Sequence, residues 1–341
     1  GGSWRNIAGG RSNFSLPELA EIASENLNIF KELQEISNID FLPINYVTFA
    51  HNDEMYNALQ NSMSWSEAEM IEPKDFRRKI SHYINPDIKK YNAALVTKNC
   101  WQATPGKVID LIRRIGLDQG GNVLEDCKLI NLEKEKNVFK VLVQTHEKEY
   151  IEYETENFIN ALGSDGNLFA KKLGIETELF SVKHQAFITR RLPHLGLNNS
   201  PLPMMIDRQK YKGFSAVYGQ QLVETGQIIG CASPMNEANE TGKNVKISSK
   251  EFIEIVSEVF LDWLPQLSSV GFQALWSGYY VEPRMIIDAD LGLFIGLRGQ
   301  GFMLGQHLAK LYVDKITGKN VPEYFNRLAI NGDGLLEKAF K

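Results

Sequence analysis

The stretch GLFIGLRGQGFMLGQHLAKLYVDKITG, residues 292–318, decides how this chain reads. A short apolar run, Leu293 to Leu297, enters the glycine turn Gly299-Gln300-Gly301. A helix is then expected from Phe302 to Ile316, closed by Gly318. Glycines let main-chain N–H groups approach a ligand closely, and the first turn of a helix offers unpaired donors at the positive end of its dipole. Such an end suits a phosphate or the anionic edge of a reduced ring. The same glycines serve equally well in a tight strand-to-helix packing turn.

Two upstream segments carry related signals. In FINALGSDG, residues 158–166, a short apolar strand from Asn157 to Leu162 ends in Gly163. Small residues such as Ala161 and Gly163 at a strand end are where a dinucleotide lies in doubly wound sheets, although a simple turn explains them too. The opening, SWRNIAGGR from Ser3 to Arg11, is a polar loop containing Ser3, Arg5, Ala8, Gly9 and Gly10. A helix follows it, with Leu19, Ile22, Ala23, Leu27, Phe30 and Leu33 on one face. Ser15 and Glu18 have capping-box spacing, and Pro17 suits the first turn.

Between these landmarks the pattern alternates. Residues 41–49 read as a strand, 52–62 and 73–82 as short helices, 91–103 as extended and 107–116 as a helix. Strand-like runs at 122–132, 139–144 and 149–153 have hairpin spacing. From Glu178 to Gly230 the chain is extended and turn-rich, as in an antiparallel sheet. A helix at 249–263 precedes strand candidates at 274–280 and 285–288, and the tail from 322 to 341 is polar with short helical pieces. The expected fold class is therefore α/β plus α+β, two interleaved domains rather than two in tandem.

The composition narrows the classes. The 341 residues are 43% hydrophobic, enough for a real core of about two domains. The net charge of −5 comes without a basic run, so no nucleic-acid partner is suggested. No stretch approaches the roughly 20 apolar residues of a membrane span. Cys100, Cys127 and Cys231 lie far apart, with neither zinc nor disulfide-framework spacing, which points to a reducing, cytoplasmic setting. In such a setting the glycosylation-type triplets at Asn13, beside Asn199 and at Asn239 mean nothing. No His/Glu/Cys cluster has metal spacing, and no Ser-His-Asp arrangement can be argued. The chain opens at Gly1-Gly2-Ser3-Trp4 without a signal-peptide pattern, and reads as trimmed or as a fragment.

In order and spacing the three glycine segments resemble the flavin-binding frame of the D-amino acid oxidase superfamily, which includes glycine oxidase, sarcosine oxidase and dimethylglycine dehydrogenase. The most specific part of the likeness is Gly299-Gln300-Gly301-Phe302-Met303-Leu304, where the family has Gly-His-Gly-Phe-Met-Leu. Asn160-Ala161-Leu162-Gly163 and the Ser3 to Gly10 segment support it. The likeness covers nearly the whole chain. It implies a glutathione reductase-like Rossmann domain for FAD, from residues 1–38, 105–178 and 285–341, and an antiparallel-sheet substrate domain from 39–104 and 179–284. It further implies that Ser3, Arg5, Ala8, Gly9, Gly10, Ala161, Gly163, Arg298, Gly299, Gln300, Gly301, Phe302, Met303 and Leu304 lie along FAD, with Leu129 near the adenine.

There are departures from the family pattern. Gln300 stands where histidine is common, and no cysteine near 279–285 offers covalent attachment, so non-covalent FAD is expected. The family's Gly-x-Gly-x-x-Gly loop and ribose-binding acid do not occur in these residues. The chain as written is therefore expected to bind FAD poorly.

The resemblance implies oxidation of an amino acid or amine. A guanidinium matches a substrate carboxylate in bidentate fashion. Arg284 is the first candidate for that role, or else a surface arginine pairing with Glu282 or Asp288. Tyr279, Tyr280 and Tyr218 are read as pocket walls with hydroxyl tips, or as core. Lys183 and His184 either face the site or lead into the sheet. Oxygen, a quinone or an electron-transfer protein would reoxidise the flavin. The other readings are a flavin-dependent 2-hydroxy acid dehydrogenase, a non-catalytic flavoprotein assembly factor, and a subunit of a hetero-oligomer.

Overall fold

The computed structural model describes residues 2–192, 201–235 and 249–336. The triplets beside Asn199 and at Asn239 lie outside these residues. The described helices are α1 (Pro17–Ile36), α2 (Asp53–Ser62), α3 (Phe76–Lys79), α4 (Pro105–Asp118), α5 (Gly166–Lys172), α6 (Lys250–Trp263) and α7 (Gly301–Ile316). The strands begin with β1 (Gly9–Arg11), β2 (Leu42–Ala50), β3 (Ala68–Ile71), β4 (Ala93–Gln102), β5 (Lys128–Glu135), β6 (Val138–Gln144) and β7 (Tyr150–Thr155). They continue with β8 (Phe180–Thr189), β9 (Met204–Asp207), β10 (Phe214–Gln221), β11 (Ile228–Pro234), β12 (Phe272–Glu282), β13 (Ile286–Asp288) and β14 (Leu293–Ile295).

Nine strands form one sheet in the order β1-β4-β2-β9-β10-β11-β8-β12, with β3 also on β4. All its ladders are antiparallel except β2 with β9. β5-β6-β7 make a separate meander, and β13-β14 a small hairpin. This is the mixed α/β plus antiparallel fold class the sequence implies.

Because side chains alternate across a strand, the large sheet has two distinct faces. Val47, Phe49, Met205, Val217, Phe187 and Ala232 point to one side and pack with Phe252, Val256, Val259, Phe260 and Trp263 of α6. Tyr46, Met204 and Ile44 point to the other, where they cluster with Cys100, Ile206, Tyr218 and Ile7. Elsewhere α1 packs along α7, with Leu19, Ile22, Leu304 and Leu308 completely buried.

Three local expectations need correcting. Asn157 to Leu162 form no ladder: Asn160 alone bridges Leu293, in parallel, through Asn160 N to Gly292 O at 2.8 Å and Phe294 N to Asn160 O at 3.0 Å. The N-cap of α1 is Leu16 with Pro17 next, and no side chain caps it; Glu18 instead pairs with Arg327. The helix expected over 73–82 shrinks to a single turn after Pro73–Asp75, because Ser81 to Pro86 turn inward and Asn85 bonds to the end of α6.

Candidate active site

The segment Ser3–Arg11 crosses the open face of the large sheet. Ser3–Arg5 form a turn of 3-10 helix, held where the Asn6 side chain donates to Ser3 O at 2.6 Å. Ala8 takes a positive φ of 70° and is fixed by Ala8 N to Asn6 Oδ1 at 2.7 Å and Ala103 N to Ala8 O at 3.1 Å. Two side chains of the sheet reach up to the segment. Trp276 Nε1 donates to Arg5 O at 3.0 Å, and Gln220 Nε2 donates to Ile7 O at 2.7 Å.

The glycines are needed for close approach. A Cβ on Gly9 would run into the Tyr46 hydroxyl and the Met204 methyl, one on Gly10 into the Trp101 indole, and one on Gly299 into the Tyr280 ring. The chain folds β1 onto β4 and starts α7 beside it, so Trp101 packs with both Phe30 and Phe302, at ring separations of 4.2 and 5.6 Å. β1 and β3 share one edge of β4, which leaves the other edge of β1 outside the sheet's ladders. At α7, Met303 N and Leu304 N bond back to Gln300 O at 3.0 and 3.1 Å, so Gly301 and Phe302 hold the open end of the helix. A strand edge and a helix N-terminus thus meet over small residues. Main-chain donors and a positive dipole end there fit a flat, electron-accepting ring with an anionic edge.

β12 meets three of the expected cofactor segments. It touches the Ser3–Arg5 turn and the Gly163–Asp165 turn. Its Tyr280 lies against Gly299, and its Glu282 pairs with Arg298 at 2.6 Å. Arg298 itself has a φ of 55°, in the left-handed region. Asn160 shapes the Ala161–Gly163 turn, donating to Gly166 O at 2.8 Å. Leu304 is core, and Phe302 and Met303 also pack inward, so these three can offer a ligand only main chain or part of a side-chain edge. Leu129 stands apart in the meander, paired with Val143 next to a bulge and clustered with Phe139 and Phe169.

One row of side chains runs straight across the open face. Leu95, Thr48, Ile206, Tyr218, Cys231, Ala186 and Trp276 are successive ladder partners on seven neighbouring strands of it, beginning at β4. Tyr280 leans back over this row. Its ring stacks on His184 at 3.7 Å, and its hydroxyl is bonded to that of Tyr218. Burial raises the Tyr280 and Tyr218 hydroxyls well above the usual phenol range. Burial likewise pushes the Cys231 thiol up to about 12 and the His184 imidazole down to about 3. The row is therefore uncharged at neutral pH, and His184 Nδ1 is buried with no hydrogen-bond partner among the described residues.

The chain matches the model of the FAD dependent oxidoreductase family (DAO) over residues 1–315. It belongs to that family. Solved structures share its fold. L-proline dehydrogenase from P. horikoshii superposes with a TM-score of 0.79 at 21% identity, covering 96% of this chain and 87% of that one. Glycine oxidase from Geobacillus kaustophilus gives 0.78 at 13%, covering 97% and 88%. L-alpha-glycerophosphate oxidase from Mycoplasma pneumoniae, solved with FAD bound, gives 0.73 at 13%, covering 95% and 87%. No curated protein sequence matches. FAD is the cofactor of this FAD-dependent oxidoreductase. No helix among the described residues is long and apolar enough to cross a membrane.

The structure separates the three residues expected to serve catalysis. Tyr280 faces the row. Tyr279, its neighbour in an extended strand, points to the opposite face, so the two cannot wall one pocket. Arg284 is not at the row either: after the cis Glu282–Pro283 bond its guanidinium donates to Gly332 O at 2.7 Å and Ile330 O at 2.5 Å, anchoring the C-terminal turn. Nor does it pair with Glu282, which holds Arg298, or with Asp288, which accepts from Ile330 N at 3.2 Å. Sequence reasoning missed Tyr46 and Gln220 as site residues. The signal for Tyr46 was there, since YVTF alternates polar Tyr46 and Thr48 with apolar Val47 and Phe49.

Proposed function

We propose that this flavoprotein oxidises the C–N bond of an amino acid or of a secondary or tertiary amine, with the substrate lying on the tyrosine row. The observation carrying this reading is the close approach of Gly9 to Tyr46, beside the row, and of Gly299 to Tyr280, which leans over it, on the same face of the sheet. The printed names of two structural relatives, a proline dehydrogenase and a glycine oxidase, favour an amine nitrogen. We place FAD non-covalently along Ser3–Gly10, Ala161–Gly163 and Arg298–Leu304, with Leu129 toward its adenine. The interleaved domain boundaries expected from the sequence complete the reading.

Bound FAD would accept the hydride from the carbon next to nitrogen. The chain's own residues then have defined tasks. Tyr218 and Tyr280 remain protonated and orient the substrate by hydrogen bonds without adding charge. His184 remains neutral and does not repel a cationic or partly cationic nitrogen. Because the row holds no charged group, it favours the amine in its neutral form, the form whose lone pair can push the hydride out. Loss of hydride and, from a primary or secondary amine, of a proton leaves an imine, and from a tertiary amine an iminium ion; water cleaves either to a carbonyl compound and ammonia or the remaining amine. Oxygen, a quinone or an electron-transfer protein would remove the electrons.

The test is the visible spectrum of the FAD-loaded protein before and after anaerobic addition of amino acids and amines. Bleaching by one pool is expected. A band bleached only by 2-hydroxy acids, or by nothing, would overturn the C–N reading.

A further inference from the structure

We infer that Asn26, in the middle of α1, is a positioning residue for the flavin: it holds and polarises the first turn of α7, and so raises the reduction potential of the ring that this turn faces. The inference rests on the placement of FAD along Arg298–Leu304 and is independent of which substrate reduces it.

Asn26 goes against the pattern of its own helix. Asparagine is a weak helix former, and a buried amide costs free energy unless it is bonded. Asn26 is nevertheless completely buried, on the stripe of α1 that carries Ile22, Ala23 and Phe30. Those neighbours are apolar and belong to the cores shared with Leu304, Leu308 and Trp101. The amide is used on both sides. Its Oδ1 accepts from His307 N at 2.9 Å, which settles which way the amide points, and its Nδ2 donates to Phe302 O at 3.4 Å. One side chain of α1 thus spans a turn of α7, starting from the second residue of that helix.

The bonds continue through peptide units toward the ligand end. Phe302 O shares its peptide with Met303 N, which donates to Gln300 O at 3.0 Å; Leu304 N donates to the same oxygen at 3.1 Å. Gln300 O in turn shares its peptide with Gly301 N, one of the two open donors at the mouth of the helix. The chain therefore runs from the Asn26 amide through two peptide units to the Gly301 N–H. Each donated bond polarises the next peptide, so a donor at the far end strengthens the N–H at the near end. No side chain caps α7, and its mouth is left to the ligand while Asn26 acts from behind. Phe302 is held from the side as well, by Phe30 at 5.1 Å between ring centres and by Trp101 at 5.6 Å. A firmly held, polarised donor favours the reduced ring, which carries negative charge, over the oxidised ring, which does not.

The midpoint potential of the FAD-loaded protein reads this without any substrate, by chemical reduction against a reference dye. Asn26→Ala should shift the balance toward oxidised flavin by about three- to tenfold, or about 15 to about 30 mV lower for a two-electron couple. Asn26→Asp carries a second signature. A protonated carboxyl can replace both amide bonds, whereas a carboxylate cannot donate and adds charge behind the ring. Its potential should match wild type in acid and lie below it by about tenfold in base. Leu308→Ala opens the same α1–α7 core without touching the chain of bonds, so it should lower the melting temperature and leave the potential unchanged. An unchanged potential in Asn26→Ala, or an equal shift in Leu308→Ala, would overturn the role of Asn26. If Asn26→Ala does not fold, Asn26→Asp decides, and a potential that tracks wild type from acid to base would overturn it. Gln300→Glu tests the placement of the ring separately, since a carboxylate at the mouth of α7 should lower the potential. A shift there with none at Asn26 removes the role of Asn26 alone; no shift in any variant removes the placement of the ring too.

Discussion

The two faces of the large sheet treat buried polar groups in opposite ways, although the same strands supply both. On the α6 side Asp207 is completely buried and completely answered. Its carboxylate accepts from Tyr91 Oη at 2.6 Å, Tyr211 Oη at 2.5 Å and Gln209 N at 2.7 Å, with Lys90 Nζ 3.7 Å away. Tyr91 in turn accepts from Trp263 Nε1 at 2.9 Å. On the other face His184 Nδ1 and Gln220 Oε1 are buried with no partner among the described residues. A buried polar atom without a partner costs free energy, and such atoms are rare in native cores. The asymmetry teaches that one face is finished by folding, and the other is finished by what binds to it.

The hardest blow to this contrast is aimed at the finished face. Asp207→Ala would leave two tyrosine hydroxyls and Lys90 facing a hole in a dry core. A loss of about 3 kcal/mol or more is expected, read as a lower urea midpoint. Asp207→Asn, which still accepts hydrogen bonds, should lose less. A variant as stable as wild type would mean that the network does not hold the α6 face together.

The unfinished face predicts a pH effect. The His184 imidazole is lowered to about 3 in the folded protein, against 6.5 for an unperturbed histidine. Between those values the unfolded chain takes up a proton that the folded protein refuses. His184 therefore contributes no pH dependence above 6.5, and stability falls as the pH drops below it. The slope should approach about 1.4 kcal/mol per pH unit between about pH 6 and about pH 4. His184→Phe, which keeps the ring stack on Tyr280, should remove this part of the slope. An unchanged slope would show that the histidine is hydrated, and the contrast between the faces would weaken.

Much of this arrangement was legible in the sequence, and the parts that were not share a physical cause. The Gly299–Gly301 turn could be read because strand, glycines and helix are contiguous, and the meander because its runs have hairpin spacing. Tyr279 and Tyr280 could not be separated, because the strand's phase against the sheet is a tertiary fact. Arg284 looked like a ligand clamp because the turn at Ile330–Gly332, which captures it, lies far along the chain. The strand expected over Asn157–Leu162 is reduced to one bridge for a similar reason: an apolar run becomes a ladder only beside a partner.

The subtlest test compares the same change on the two faces. Tyr91→Phe deletes a hydroxyl that donates to Asp207 and accepts from Trp263, so it should cost about 2 kcal/mol and leave flavin chemistry alone. Tyr280→Phe deletes a hydroxyl bonded only loosely into the fold, through Tyr218, and keeps the ring on His184 and against Gly299. Its stability cost should stay at or below about 1 kcal/mol, because Tyr218 retains Cys231 as a second partner. Flavin reduction by the substrate should nevertheless slow by about tenfold, the weight of one hydrogen bond at the reacting molecule. Equal effects of the two substitutions on melting and on flavin reduction would erase the distinction between the faces. A stable but slow Tyr280→Phe beside a fast but weakened Tyr91→Phe would place the chemistry on the open face, on the side that folding leaves incomplete.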